Sequence, residues 1–156
     1  MAGQYSENLV STSSASLPKK ILVPVDDSEE SFTAAQYAIE LARKIGAELS
    51  VLHVILVPEY ISEEVSTRLK NELGSRGELA VMRVRQAADG KGIVLRENLL
   101  TTTKSVVATI CEFASSDRAG LIIMGRSGAG GVAKLMLGTV AMGVAREARC
   151  PVLLVR

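Results

Sequence analysis

Two kinds of apolar pattern alternate along the chain. "KKILVPV" (19–25), "ELSVLHVILV" (48–57), "GIVLREN" (92–98), "LIIM" (121–124) and "PVLLV" (151–155) are short apolar runs of strand length. Between them, apolar residues recur every third or fourth position. Phe32, Ala35, Ile39, Ala42 and Ile45 fall on one side of a helix over 31–46. Val65, Leu69, Leu73, Ala80 and Val84 do the same over 62–88, where Gly74 and Gly77 weaken the helix and offer a point at which it could break. Val106, Val107, Ile110, Cys111 and Phe113 mark a third helix over 103–116, and 139–148 forms a fourth. Asp27 and Glu30 stand at capping-box spacing before the first helix, and Gly46 ends it.

Strands separated by helices predict an α/β fold: a three-layer, Rossmann-like, five-stranded parallel sheet covered on both faces. Runs such as "ILVPV" and "PVLLV" lack polar alternation, as strands buried on both sides do. In open sheets of this kind ligands sit beyond the carboxyl ends of the strands, where the winding reverses. The chemistry-bearing loops are "DDSEE" after the first strand and the glycine-rich stretch after the fourth. A strand order of 3-2-1-4-5 brings those two loops to one crevice, with Asp26 facing the glycines.

Composition narrows the classes. The chain has 156 residues, 47% of them apolar, and a formal net charge of +1. That suits one domain with a substantial core. No basic stripe supports nucleic-acid binding, and no apolar run reaches the roughly 18 residues of a membrane span. Residues 1–17, rich in Ser and Thr, read as a flexible tail, and 18–156 as the domain. No secretory signal is apparent. Cys111 and Cys150 sit in apolar surroundings and are expected to be buried free thiols, which favours a reducing, cytoplasmic compartment. His53, inside a strand and without a neighbouring base or nucleophile, reads as a core residue. No catalytic residue and no dedicated metal site is expected.

The stretch "LIIMGRSGAGGVAKLMLGT" (121–139) carries the main signal. It is not a P-loop, because Lys134 follows Ala133 and precedes Leu135. Gly128, Gly130 and Ala133 match a dinucleotide fingerprint in spacing. The match starts four residues after the strand, however, and no acidic residue ends a second strand beyond it. A wider spacing is more informative: Gly125-x2-Gly128-x9-Gly138-Thr139. Gly125 permits close approach to the backbone just after the strand. Gly138 and Thr139 open the fourth helix, where unpaired amides and the dipole attract phosphate. Arg126 and Lys134 can add positive charge.

That spacing resembles the nucleotide-binding signature of the universal stress protein family. "KKILVPVDDSEES", "ELSVLHVI" and "CPVLLVR" resemble the family's first, second and last strands, so the resemblance spans 18–156. It implies strand order 3-2-1-4-5, homodimers that associate through the last strand, and, in one branch, bound ATP. Carried over by motif, it implies Asp26 and Val54 on the adenosine side, with Pro24 and Val25 lining the pocket. Met124 and Gly125 would lie against base and ribose. Gly128, Gly138, Thr139, Val140 and Ala141 would face the phosphates, which could carry Mg2+ or Mn2+. The function so implied is an ATP-binding, nucleotide-dependent stress-response switch. The alternatives are a slow ATP hydrolase and a dimeric interaction module without nucleotide. Gly120 stands where the family often has Asp, just before the fourth strand.

Overall fold

The structure, a computed structural model, describes residues 16–127 and 137–156. The elements run β1 (Lys20–Pro24), α1 (Glu29–Ile45), β2 (Glu48–Leu56), α2 (Glu63–Ala88), β3 (Leu95–Thr102), α3 (Val106–Ser116), β4 (Leu121–Gly125), α4 (Thr139–Glu147) and β5 (Val152–Val155). The five strands form one sheet in the order β3-β2-β1-β4-β5. Every pairing is parallel, with Lys20 opposite Glu48 and Ile21 opposite Leu121 on the two sides of β1. The expected fold is therefore present. The expected tail lies almost wholly outside the described residues.

Strand geometry splits the core in two. Successive side chains of a strand point to opposite faces. Ile21, Val23, Leu49, Val51 and Ile123 pack with the small residues of α1 (Ala34, Ala35, Ala38, Ala42) and with Val81 and Val84 of α2. Leu22, Leu52, Ile122 and Met124 pack on the other face with Ile110 and Ala114 of α3 and Ala141 and Val144 of α4. The alanines let α1 lie close to the sheet. Gly46, at φ +69°, ends α1 in the left-handed conformation that glycine adopts at no steric cost.

Three expectations need correction. First, β3 runs over 95–102 rather than 92–98. Its partner β2 offers a hydrogen-bonding edge as far as Leu56, which pairs with Thr102, and an edge strand tolerates the polar "ENLLTT" on its half-exposed faces. Second, α2 is unbroken across Gly74 and Gly77. A Cβ at Gly77 would stand 2.3 Å from Cδ2 of His53, so this glycine makes room for the imidazole ring. Third, the N-cap of α1 is Ser28, whose hydroxyl accepts from Ser31 N (3.2 Å), and not the Asp27–Glu30 box. Asp27 instead pairs with Arg76 of α2, accepting from Nε at 2.9 Å.

The amino ends of the central strands carry a polar network, remote from the loops that matter for ligands. Asp117, at the end of α3, accepts from Lys20 Nζ (2.9 Å) and from the hydroxyl of fully buried Ser50 (2.7 Å). The Asp117 bond raises the Lys20 ammonium above its ordinary 10.5. Glu48 is bonded to Arg96 and Glu97 to Arg85, and each arginine holds its partner's carboxyl below the ordinary 4.5. A carboxyl with a lower pKa folded than unfolded stabilises above the unfolded value and loses that contribution as pH falls through the folded one. Thermal stability is thus expected to drop as pH falls below about 4.5, with Glu97→Gln removing part of the slope. These pairs are partly solvated, so the change per pair is small. Melting curves of both proteins from about pH 7 to about pH 3 test this, and identical slopes would count against it.

Candidate functional site

The sheet reverses its winding between β1 and β4. From β1 the chain builds outward through β2 and β3, and from β4 it builds the other way to β5. At the carboxyl ends of these two strands lies a cleft of about 300 Å³ on the α3/α4 side. Pro24, Val25, Asp26, Val54, Met124, Gly125, Gly138, Thr139, Val140 and Ala141 all line it. These positions come from four separate segments, and only the 3-2-1-4-5 order draws them together. Gly128 and Lys134 lie outside the described residues. Ser31, Leu52, His53, Val106, Ile110 and Ser127 complete the walls. Val106 and Ile110 are one helical turn apart on α3, so their pattern reads as core, and nothing local marks them as cleft wall.

The loop after β1 is locked by its own side chains. Asp26 Oδ1 accepts from the Ser28 amide (2.9 Å) and hydroxyl (2.5 Å). The Ser31 hydroxyl donates to the Asp26 carbonyl (2.9 Å) and accepts from the Asp26 amide (3.2 Å). An Asp side chain bonding the amide two residues on makes a compact turn. This turn holds the Asp26 carboxylate at the cleft wall and caps α1 at once. His53 Nδ1 donates to the Val25 carbonyl (2.8 Å), which ties β2 to the same loop.

The loop after β4 is held from α1 and β5. Arg126 N donates to Val155 O (3.0 Å), and Gly138 N donates back to Arg126 O (2.9 Å). The Gly138 amide is thereby engaged by the loop after β4, and Gly138 itself lines the cleft. The glycines also have a reason within the protein itself. A Cβ on Gly125 would stand 3.0 Å from the Glu30 carbonyl carbon and oxygen and 3.1 Å from Ser31 N. A Cβ on Gly138 would stand 3.2 Å from Arg126 O and Ser127 Cα. Both absences serve the approach of two pieces of backbone, which in turn shapes the cleft.

Helix α4 starts without a side-chain cap, whereas Ser28, Ser62 and Ser105 cap the other three helices. Its first intrahelical bond runs from Met142 N to Gly138 O (2.9 Å). Thr139, Val140 and Ala141 thus carry the amides that helix geometry leaves without an intrahelical acceptor, and all three line the cleft. Apolar walls with a small number of polar groups are the lining of a small-molecule site. Among the described residues no group of three or more His, Cys, Asp or Glu could hold a metal ion. Cys111 and Cys150 are free and half-buried, and burial pushes both thiols above their ordinary value. Among the described residues no helix is long and apolar enough to cross a membrane.

A doubly wound parallel sheet with a cleft at its switch point defines a Rossmann-like domain. The model of the universal stress protein family matches residues 18–156, and the chain belongs to that family. It is 34% identical to universal stress protein MJ0531 of Methanocaldococcus jannaschii over 97% of this chain and 90% of that one. Among solved structures, a universal stress protein in complex with cAMP aligns with a TM-score of 0.71 at 22% identity, covering 90% of this chain and 99% of that chain. The universal stress protein of Archaeoglobus fulgidus in complex with dAMP aligns with a TM-score of 0.63 at 24% identity, covering 88% and 97%.

Proposed function

We propose that the cleft binds an adenine nucleotide, with ATP as its working ligand, and that the protein is a nucleotide-dependent regulatory switch rather than a dedicated enzyme. The observation that carries this reading is the uncapped start of α4. Thr139, Val140 and Ala141, whose amides helix geometry leaves without an intrahelical acceptor, line the same apolar cleft as Asp26. An anion at such a helix end gains about 0.3 to 2 kcal/mol from the dipole. Val54, Val106, Ile110 and Met124 offer apolar surface to a purine, and Asp26 an acceptor for ribose hydroxyls or the adenine amino group. The Thr139 hydroxyl supplies a further donor to phosphate. A divalent cation, Mg2+ or Mn2+, would arrive on the phosphates. The cAMP and dAMP held by the two solved family members support the ligand class. The free thiols suit a reducing cytoplasm. Titration calorimetry of the purified protein with AMP, and with ATP and Mg2+, tests the reading. Saturable binding of at least one is expected, and no heat from either would overturn it.

The family resemblance also implies a homodimer that associates through the last strand. Here β5 is an edge strand whose four residues, Val152–Val155, are apolar and half-buried. An unpaired apolar edge is covered in stable proteins. Association of two copies through β5 would do so. Light scattering at micromolar concentration is expected to give the mass of a dimer, and Leu154→Lys that of a monomer. A wild-type monomer would remove this part of the proposal.

A further inference from the structure

The nucleotide reading leaves two loops unused, and they meet at the carboxyl ends of β2 and β3. They are "PEYISEE" (58–64) after β2 and "LLTTT" (99–103) closing β3. Leu56 pairs with Thr102, and Val57 N donates to Thr102 O (2.9 Å), so the two strands stay joined to their last residues. Beyond that point they part. One turns at Pro58 toward the Ser62 cap of α2, and the other through Lys104 toward the Ser105 cap of α3. Thr102 Oγ1 accepts from the Lys104 amide (3.1 Å) and fixes the second turn. A groove of about 400 Å³ opens between these turns and α2, and it shares no lining residue with the cleft.

Buried Val57, with Pro58 and Ile61, gives the groove an apolar part. The rest is polar. Ser66 and Lys70 stand one turn apart on α2 and both line it. The residues three and four positions from Lys70 are Ser66, Thr67, Leu73 and Gly74, so its own helix supplies no acidic partner. Among the described residues, the Lys70 ammonium and the hydroxyls of Ser66, Thr101 and Thr103 have no hydrogen-bonding or ionic partner. Lys104 Nζ reaches Glu112 Oε1 only at 3.9 Å, and both side chains are largely exposed, so that contact holds it weakly.

We propose that this groove is a second ligand site, for a small hydroxylated phosphate monoester of the sugar-phosphate class. Lys70 and Lys104 supply positive charge for one phosphate. The Ser and Thr hydroxyls and the Glu59 carboxylate, which also lines the groove, suit a ligand rich in hydroxyls. Glu59 at the same time disfavours a ligand that is anionic along its whole length. The volume lies in the range of about 300 to 1,000 Å³ usual for small-molecule sites, more than a bare phosphate fills.

Calorimetry at low salt with glucose 6-phosphate, glucose and inorganic phosphate tests the inference. Saturable binding of glucose 6-phosphate is expected, with Kd of about 1 mM or tighter, and weaker binding of the other two. Lys70→Met should lower that affinity about tenfold or more, and Lys70→Arg should keep it within about threefold of wild type. AMP affinity should be the same in all three proteins, because Lys70 is remote from the cleft wall. Two merely solvated lysines would bind inorganic phosphate as well as the ester. That result, no saturable binding of glucose 6-phosphate, an unchanged affinity in Lys70→Met, or competition by AMP would each overturn the inference. Absence of AMP binding would overturn only the nucleotide reading, since the two sites have no residue in common.

Discussion

Gly138→Val is expected to lower adenine-nucleotide affinity by about 100-fold or more, about 2.7 kcal/mol, while the sheet and its helices remain folded. Gly138 has φ −62°, ψ 149°, a conformation open to any residue, so the requirement is for space and not for backbone freedom. A Cβ there would lie 3.2 Å from Arg126 O and from Ser127 Cα. Both are backbone atoms and cannot rotate away as a flexible side chain would. Valine adds two methyl groups to that overlap. The Gly138–Arg126 hydrogen bond opens, and the start of α4 moves off the cleft with the amides of Thr139, Val140 and Ala141. Gly138→Ala asks the neighbours to yield only a few tenths of an ångström and should fall between valine and wild type. Calorimetry reads the affinity, and far-UV circular dichroism confirms the fold. A valine variant that binds AMP or ATP as wild type does would remove the α4 terminus from the site.

Gly77→Ala should destabilise the protein by about 2 kcal/mol, although helix propensity argues the opposite sign. Alanine in mid-helix is worth roughly 1 kcal/mol over glycine when nothing else changes. Here the new Cβ would stand 2.3 Å from Cδ2, 2.8 Å from Nε2 and 2.9 Å from Cγ of His53. No real Cβ contact is that short. The ring cannot step aside cheaply, because Nδ1 is bonded to the Val25 carbonyl at 2.8 Å. Steric overlap therefore outweighs propensity. In a His53→Ala background the obstacle is gone, and Gly77→Ala should become neutral or stabilising. Urea denaturation of the four proteins in this cycle gives the coupling directly. A rise in stability from Gly77→Ala alone would show that the ring has another place to go.

The two glycine cases show where sequence reading reaches its limit. Both residues are visible in the sequence as exceptions, but the reason for each lies in a partner far along the chain. Gly77 reads as a weak point in a helix and proves to be room for a ring on β2. Gly125 and Gly138 read as openings for a ligand, and in the structure they are also crossings of backbone over backbone. Glu30 follows the same logic. Its spacing from Asp27 matches a helix cap, whereas its carboxylate bonds Ser127, which no local pattern could reveal. The capping role falls to Ser28 because Asp26 has already folded the turn around that residue.

Periodicity alone determined the element types, the two-sided burial of the central strands and the parallel α/β class. It could do so because burial demands apolar residues at the period of each backbone geometry, and that demand is local. The motif spacing and the family resemblance added the family and ten residues of the cleft wall, but not Ser31, Leu52, His53, Val106, Ile110 or Ser127. Tertiary structure decided the rest. The pairing edge of β2 set how far β3 extends, the approach of α1 to β4 set which glycines are needed, and the meeting of two segments joined the Glu30 carboxylate to Ser127. Each of these is an encounter between segments distant in sequence. Its outcome depends on distances of a few tenths of an ångström, which no single segment encodes.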